Sequence, residues 1–324
     1  MKQRTLSDET SIGLGLAALG RPEYINISDI ERTDKSEMAF RQHAFGMLDF
    51  AYAKGIRYFD TAPSYGKGEQ FLKDWNDLHR HPDVNLGTKW GYTYMANWKL
   101  GYEGRHEIKE HSLNKLVEQW SYSKQMLPAL DVYQVHSATF ESGVLDNSEV
   151  LRKLVQIKKQ TGIKIGITTS GENQKEIIQK ALETKIDGQE VFDSFQVTYN
   201  ILEQDTFHML QRAKQQGKII IIKEALANGR LFPNAEFPHY KSLYNTLQML
   251  SKRYKVGVDA LALRYCIERL RPNILLSGAS NSGQLDQNLK ALSFCLNAKD
   301  LTLLDKEKAN PISYWQERSR LDWS

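Results

Sequence analysis

Cysteine is scarce in this chain. Of 324 residues only Cys266 and Cys295 carry thiols, too few for a disulfide framework or a Cys-built zinc site. No metal is expected. Two free thiols suit a reducing compartment, so the cytoplasm is the expected location. Long apolar runs are also missing. No stretch approaches the roughly 20 apolar residues of a membrane span, and Met1 to Glu9 is polar, with no apolar signal-peptide run. Charge of one sign is missing too. Lys plus Arg number 43 against 39 Asp plus Glu, and the net +4 is scattered rather than gathered in a block. A nucleic-acid partner therefore finds no footing. Proline is rare, at 8 residues, and no Pro/Gly/Ser-rich linker divides the chain, so residues 1–324 are expected to form one domain.

What is present is an ordinary globular composition, with 10% aromatics, too many for a disordered chain. A two-part pattern recurs: a short apolar run, then a helical period. The predicted strands are Ile56–Asp60, Val84–Lys89, Leu130–His136, Ile163–Thr168, Ser194–Val197, Lys218–Lys223 and Asn273–Ser277, with a weak eighth near Ser293–Leu296. The helices between them show apolar stripes. Phe40, Ala44, Met47, Leu48 and Ala51 make the first, stopped by Gly55. Phe71, Trp75 and Leu78 make the second, Leu113, Val117 and Trp120 the third, and Leu151, Leu154 and Val155 the fourth, stopped by Gly162. Strands alternating with helices pair in parallel, because each crossover helix covers a sheet face. Ile219–Ile222 is apolar at every position, as in a strand buried on both faces. Eight such units in about 300 residues predict an α/β fold, a single (β/α)8 TIM barrel. Thr5–Leu19 reads as a short N-terminal hairpin closing one end. Pro311–Ser324, with Tyr314, Trp315 and Trp323, reads as a C-terminal tail over the barrel mouth.

Gly13-Leu14-Gly15-Leu16-Ala17-Ala18 matches the G-x-G-x-x-G/A dinucleotide fingerprint on paper. That fingerprint needs a strand before it and a helix after it. Here polar Ser7–Thr10 precedes it and Arg21-Pro22 follows. The better reading is a Gly-rich turn beside the barrel core.

Polar residues at the C-terminal ends of barrel strands face the site in such folds. Three predicted strands end on an ionisable group: Asp60, Lys89 and His136. Tyr65 follows Asp60 by five residues, in Phe59-Asp60-Thr61-Ala62-Pro63-Ser64-Tyr65-Gly66. Singly, each has a bland reading as a helix cap, a solvated lysine, a structural histidine or a packing aromatic. Together they suit carbonyl chemistry. A phenol with an ordinary pKa of about 10 is a weak acid near neutrality. An adjacent ammonium is expected to lower that value. A carboxylate holds the ammonium in place, and an imidazole donates to an oxygen where negative charge develops. Tyr65 is then the general acid.

In these residues the sequence resembles the aldo-keto reductase superfamily, whose Asp, Tyr, Lys and His tetrad matches Asp60, Tyr65, Lys89 and His136 in order and context. The resemblance runs from Gly13-Leu14-Gly15 to about residue 300. It implies a (β/α)8 barrel without a Rossmann domain and hydride transfer between C4 of a nicotinamide and an aldehyde or ketone. It also implies a set of cofactor contacts. Leu275 to Gln284 resembles the adenosine-phosphate loop, implying Gly278, Ala279, Ser280 and Gln284, with Gln287 and Asn288 on the helix that follows. Free amides before a capped helix hold phosphate on independent grounds. Ile165-Gly166-Ile167-Thr168-Thr169 resembles the segment that binds the nicotinamide amide. It keeps a hydroxyl at Thr168 but loses an amide at Thr169, and Gln196 shares the task. Lys223, Glu224, Leu226, Asn228, Gly229 and Arg230 occupy the loop that normally covers the nicotinamide, with Lys223 in place of the usual aromatic or Arg. Arg230 has the spacing to reach the pyrophosphate. NADP(H) is the favoured cofactor. Gly278 and Gln284 stand where Lys and Arg often hold its 2′-phosphate, so NAD(H) remains open.

The connection after Lys89 is long and aromatic, and Trp90 and Tyr92 are its candidate substrate contacts for a small carbonyl or sugar. The leading reading is an NADP(H)-dependent reductase or alcohol dehydrogenase. The alternative is a cofactor-binding regulatory subunit resembling potassium-channel β subunits. A barrel hydrolase or lyase using Asp60 and His136 leaves Tyr65 and Lys89 without a joint purpose.

Overall fold

The computed structural model describes residues 9–23 and 34–321. Eight parallel strands close into a barrel in chain order: β1 (Ser11–Gly15), β2 (Tyr58–Asp60), β3 (Asn85–Trp90), β4 (Leu130–Ala138), β5 (Lys164–Thr169), β6 (Ser194–Thr198), β7 (Ile219–Lys223) and β8 (Ile274–Ser277). Closure runs through β1, which pairs Ser11 with Ile274 of β8 and Leu14 with Phe59 of β2. Helices cover the outside.

Two expectations give way at this seam. Ser11–Gly15 is the first barrel strand rather than part of a hairpin, and residues 5–8 of that expected hairpin lie outside the described residues. Ser293–Leu296 forms no strand. The glycines explain the difference. A Cβ on Gly13 would lie 3.0 Å from Tyr58 and Ile274 side-chain atoms, and one on Gly87 2.1 Å from the Tyr58 hydroxyl. Glycine is needed here for room inside the cylinder, not for a turn or a phosphate. Tyr58, Val132, Ile221 and Ile274 fill that interior as a cluster of their own, beneath the mouth.

The helix stripes show where packing overrules periodicity. In α1 (Glu37–Ala53) the buried face is Phe40, Ala44, Met47, Leu48 and Ala51, as the period predicts. Gly162, at φ 77°, ends α4 (Ser148–Thr161). In α2 (Gly68–His79) the buried face turns to Phe71, Leu72 and Trp75, leaving Leu78 exposed. In α3 (Leu113–Ser123) it turns by one position to Leu116, Gln119 and Ser123, while Val117 faces out. Polar anchors cause that rotation. Gln119 accepts from the Gly91 amide at 2.7 Å and donates to the Tyr92 carbonyl at 2.8 Å. Ser123 donates to Glu69 at 2.7 Å. A buried Gln meets its hydrogen-bonding demand only when it faces those partners.

No helix among the described residues is long and apolar enough to cross a membrane. The chain after β8 continues through α9 (Ser282–Leu289) and α10 (Ala298–Asp305) to α11 (Pro311–Ser319). α11 buries Tyr314 and Trp315 and returns Arg318 to the mouth of the barrel. Trp323 of the expected tail lies outside the described residues.

Candidate active site

At the C-terminal rim of the barrel a cavity of about 230 Å³ opens, lined by Asp60, Tyr65, His136, Gln196 and Lys223 among others. β2 ends in Asp60 and β3 carries Lys89, on neighbouring strands, so their side chains meet inside the rim. The Lys89 ammonium donates to Asp60 Oδ2 and, at 2.8 Å, to the Thr61 carbonyl. The other carboxylate oxygen accepts from Gln196 at 2.9 Å and Gln134 at 3.4 Å. Every acceptor of Asp60 therefore has a donor, as a buried carboxylate requires.

Tyr65 lies in the turn into α2. Its ring centre is 4.8 Å from Lys89 Nζ, 5.3 Å from the Arg21 guanidinium carbon and 5.7 Å from the His136 ring, which it meets edge to face. The structure thus brings the four residues together: Asp60, Tyr65 and His136 line one cavity, and Lys89 lies buried behind Asp60. His136 is placed by a bulge. The register with β5 shifts between Val135 and Ala138, and Ser137 takes a left-handed φ of 48°. The Ser137 amide donates to Thr168 Oγ1 at 2.7 Å.

The electrostatics correct one expectation. Burial pushes the Tyr65 phenol well above its ordinary pKa, the Asp60 carboxylate adds to the rise, and Arg21 opposes it. Lys89 does not make the phenol acidic here, because its charge is matched by Asp60. The phenol is held protonated, which is the state a proton donor needs. Burial pushes the His136 imidazole well below its ordinary value, with Lys89 and Lys223 adding. It is neutral at pH 7, and its buried Nδ1 has no hydrogen-bond partner among the described residues.

A second cavity of about 310 Å³ adjoins the first and shares Glu224, Leu276, Ser277 and Gly278 with it. Leu226, Asn228, Gly229, Ala279, Gln284 and Asn288 line this trough. From α9 it takes Gln284 and Asn288. Asn281 caps the helix by accepting from the Gln284 amide at 2.9 Å, and Asn288 donates to Ser277 at 2.8 Å. A Cβ on Gly278 would meet nothing within 4 Å, so the backbone there is open to a ligand. The buried Oδ1 of Asn228 has no partner among the described residues. The open backbone at Gly278 and the unmet buried oxygen of Asn228 fit a ligand that carries phosphates and amides, as a dinucleotide does.

Other expected contacts sit elsewhere. Arg230 lines neither cavity. It is fully buried, donates to the Tyr314 carbonyl at 3.0 Å and lies 4.1 Å over the Tyr314 ring, so it anchors α11 instead of a pyrophosphate. Gln284 Oε1 is engaged by the Ser280 amide at 2.8 Å. Gln287 is exposed. Trp90 is buried and packs against His111, whereas Tyr92 does line the cavity. Thr168 spends its hydroxyl oxygen on Ser137.

Arg21 and Arg318 are site residues that sequence reasoning misses. Arg21 donates to the Ser64 carbonyl at 3.0 Å and to Glu107 at 2.7 Å, steering the Tyr65 turn. Arg318 donates to Glu224 at 2.7 Å. Burial alone would raise Glu224, but Arg318 and Lys223 hold it down at about 2. The adjacent Pro22 is the available signal for Arg21. For Arg318, 94 residues from its partner, there is none.

The model of the Aldo/keto reductase family matches residues 11–308, and the chain belongs to that family. Among curated relatives, the aldo-keto reductase YhdN of Bacillus subtilis is 24% identical over 292 residues, 81% of this chain and 83% of that one. The uncharacterized oxidoreductase YqkF of the same organism is 27% identical over 323 residues, covering 90% and 95%. The NADH-specific methylglyoxal reductase of Escherichia coli is 23% identical over 321 residues, covering 90% and 93%. A solved aldo-keto reductase from Bacillus halodurans, in its holo form, superposes with a TM-score of 0.68 at 23% identity, over 92% of this chain and 93% of that one. That likeness speaks to the fold. Family membership makes the chain an oxidoreductase.

Proposed function

We propose that this chain reduces an aldehyde or ketone with a nicotinamide cofactor, or runs the matching alcohol or sugar oxidation, with Tyr65 as general acid. The observation that supports this reading is the convergence of Asp60, Tyr65 and His136, with Lys89 paired behind Asp60, on a cavity continuous with a trough suited to a dinucleotide. When bound, the cofactor supplies the hydride. The chain's own residues do the rest. Neutral His136 donates a hydrogen bond to the carbonyl oxygen and orients it. Tyr65 gives its hydroxyl proton to that oxygen as negative charge grows there. The Asp60–Lys89 pair fixes the ammonium beside the phenol, so the charge left on Tyr65 is met by a cation already in place. Gln196, Lys223 and Glu224 form the wall at the nicotinamide end, with Thr168 buried behind it, and Leu226, Asn228 and Gly229 continue into the trough. At the phosphate end Gly278 offers its amide, while those of Ala279 and Ser280 are held by Ser277 Oγ at 3.2 Å and Gln284 Oε1 at 2.8 Å.

NADP(H) is the cofactor favoured by the sequence. One observation favours a second reading with NADH. The residues lining the trough include Glu224 and Asp259 but, among the described residues, no Lys or Arg to meet a 2′-phosphate.

The test titrates NADPH and NADH separately into the purified chain, then follows cofactor oxidation against a panel of small carbonyl compounds. Saturable binding with turnover is expected. Binding without turnover on any carbonyl transfers the case to a cofactor-sensing subunit, and absence of binding removes the proposal.

A further inference from the structure

Among the described residues, each charge around the cavity has a close ion-pair partner except one, whose only ion pair is long and shared. Asp60 faces Lys89, Glu107 faces Arg21 and Glu224 faces Arg318. Lys223, which ends β7, is the surplus. Its ammonium donates to two neutral hydroxyls, Thr198 at 2.8 Å and Ser170 at 3.1 Å. The nearest carboxylate, Glu224, lies 3.8 Å away and is already engaged by Arg318 at 2.7 Å. Burial lowers the ammonium's pKa to about 8 against the pull of Glu224. That is the mark of an under-compensated cation, and one still charged at pH 7.

We propose that Lys223 sets the redox preference of the enzyme, favouring the reduced nicotinamide over the oxidised one. This inference rests on the cofactor reading above. Tyr65 and His136 fix where a carbonyl oxygen must lie. A hydride reaches the carbonyl carbon only from van der Waals range, so the ring must share the small cavity that Lys223 lines. Hydride loss (two electrons and a proton) takes the ring from neutral to a pyridinium cation. A fixed, poorly compensated ammonium in the same cavity repels that cation and leaves the neutral ring unaffected. Within so small a space a unit charge changes a binding ratio by about tenfold or more. Lys223 thereby biases the bound cofactor toward giving its hydride away, which is carbonyl reduction. A lysine serving only to tie together the ends of β5, β6 and β7 would have no such selectivity.

The experiment measures dissociation constants for the reduced and oxidised cofactor, each alone, by quenching of tryptophan fluorescence. It compares the wild type with Lys223→Met, Lys223→Gln and Lys223→Arg. The ratio of the oxidised to the reduced constant is expected to fall about tenfold in Lys223→Met and Lys223→Gln and to be preserved in Lys223→Arg. Gln can still bond both hydroxyls, which covers the case in which Met fails to fold. An unchanged ratio in the neutral variant overturns the inference and leaves the proposed function standing. Failure of the wild type to bind either form overturns the proposed function itself.

Discussion

Asp60 and Lys89, on adjacent strands of the barrel, form an ion pair closed off from water, with Asp60 2% exposed and Lys89 fully buried. A pair in that position is costly to form and costlier to break. Asp60→Asn leaves a buried ammonium facing only a carbonyl and an amide. It is expected to lower stability by about 3 kcal/mol, read as a drop in the denaturation midpoint. A midpoint equal to wild type would show that water reaches the site.

Tyr65→Phe removes one hydroxyl and leaves the ring against His136 and Lys89. Turnover is expected to fall about 10³-fold, the range for loss of a positioned proton donor. Cofactor dissociation constants should stay within about twofold. Retained turnover assigns the proton donor elsewhere.

Glu69 sits behind Lys89, 4% exposed, and accepts from Thr88 and Ser123 at 2.7 Å each. Burial pushes its carboxyl from 4.5 up to about 7, while the two hydroxyls and Lys89 pull the other way. The folded chain then holds this proton more tightly than the unfolded chain. The stabilisation is complete below about pH 4.5, is lost as pH rises toward 7, and stays lost above that. Glu69→Gln keeps an oxygen for both hydroxyls and has no charge to bury. The variant is expected to gain on the order of 3 kcal/mol over wild type at pH 8 and nothing at pH 4. Parallel stability curves over that range would place water beside Glu69.

Arg230 tethers α11 through the Tyr314 carbonyl and ring and through Glu317 at 3.4 Å. Arg230→Ala is expected to cost about 3 kcal/mol, because the partners stay buried and unmet. Limited proteolysis should cut the variant near residues 311–319 before the barrel. If cofactor affinity collapses while α11 stays protected, Arg230 belongs to the phosphate site after all.

Local chemistry makes much of this molecule legible in the chain itself. Strands flagged by unbroken apolar runs, such as Ile219–Ile222, announce a sheet buried on both faces. A strand-end acid, lysine and histidine with a tyrosine five residues on announce a shared rim. The features that stay illegible have a common cause. Gly13 looks like a turn former until Tyr58 and Ile274 are seen crowding it, and Val117 looks inward until Gln119 claims that face. Periodicity counts apolar residues, but buried polar groups needing partners choose the inward face of α3.

Alternation of strand and helix, with the types of group at strand ends, was enough to determine the class of fold and to single out Asp60, Tyr65, Lys89 and His136 as neighbours at one rim, because both follow from spacing along one stretch of chain. Tertiary structure alone decided that burial raises the Tyr65 phenol where a neighbouring lysine was expected to lower it. It also sent Arg230 to α11 and brought Arg318 to Glu224. Those outcomes depend on which distant charges share a desolvated space, and sequence separation carries no record of that.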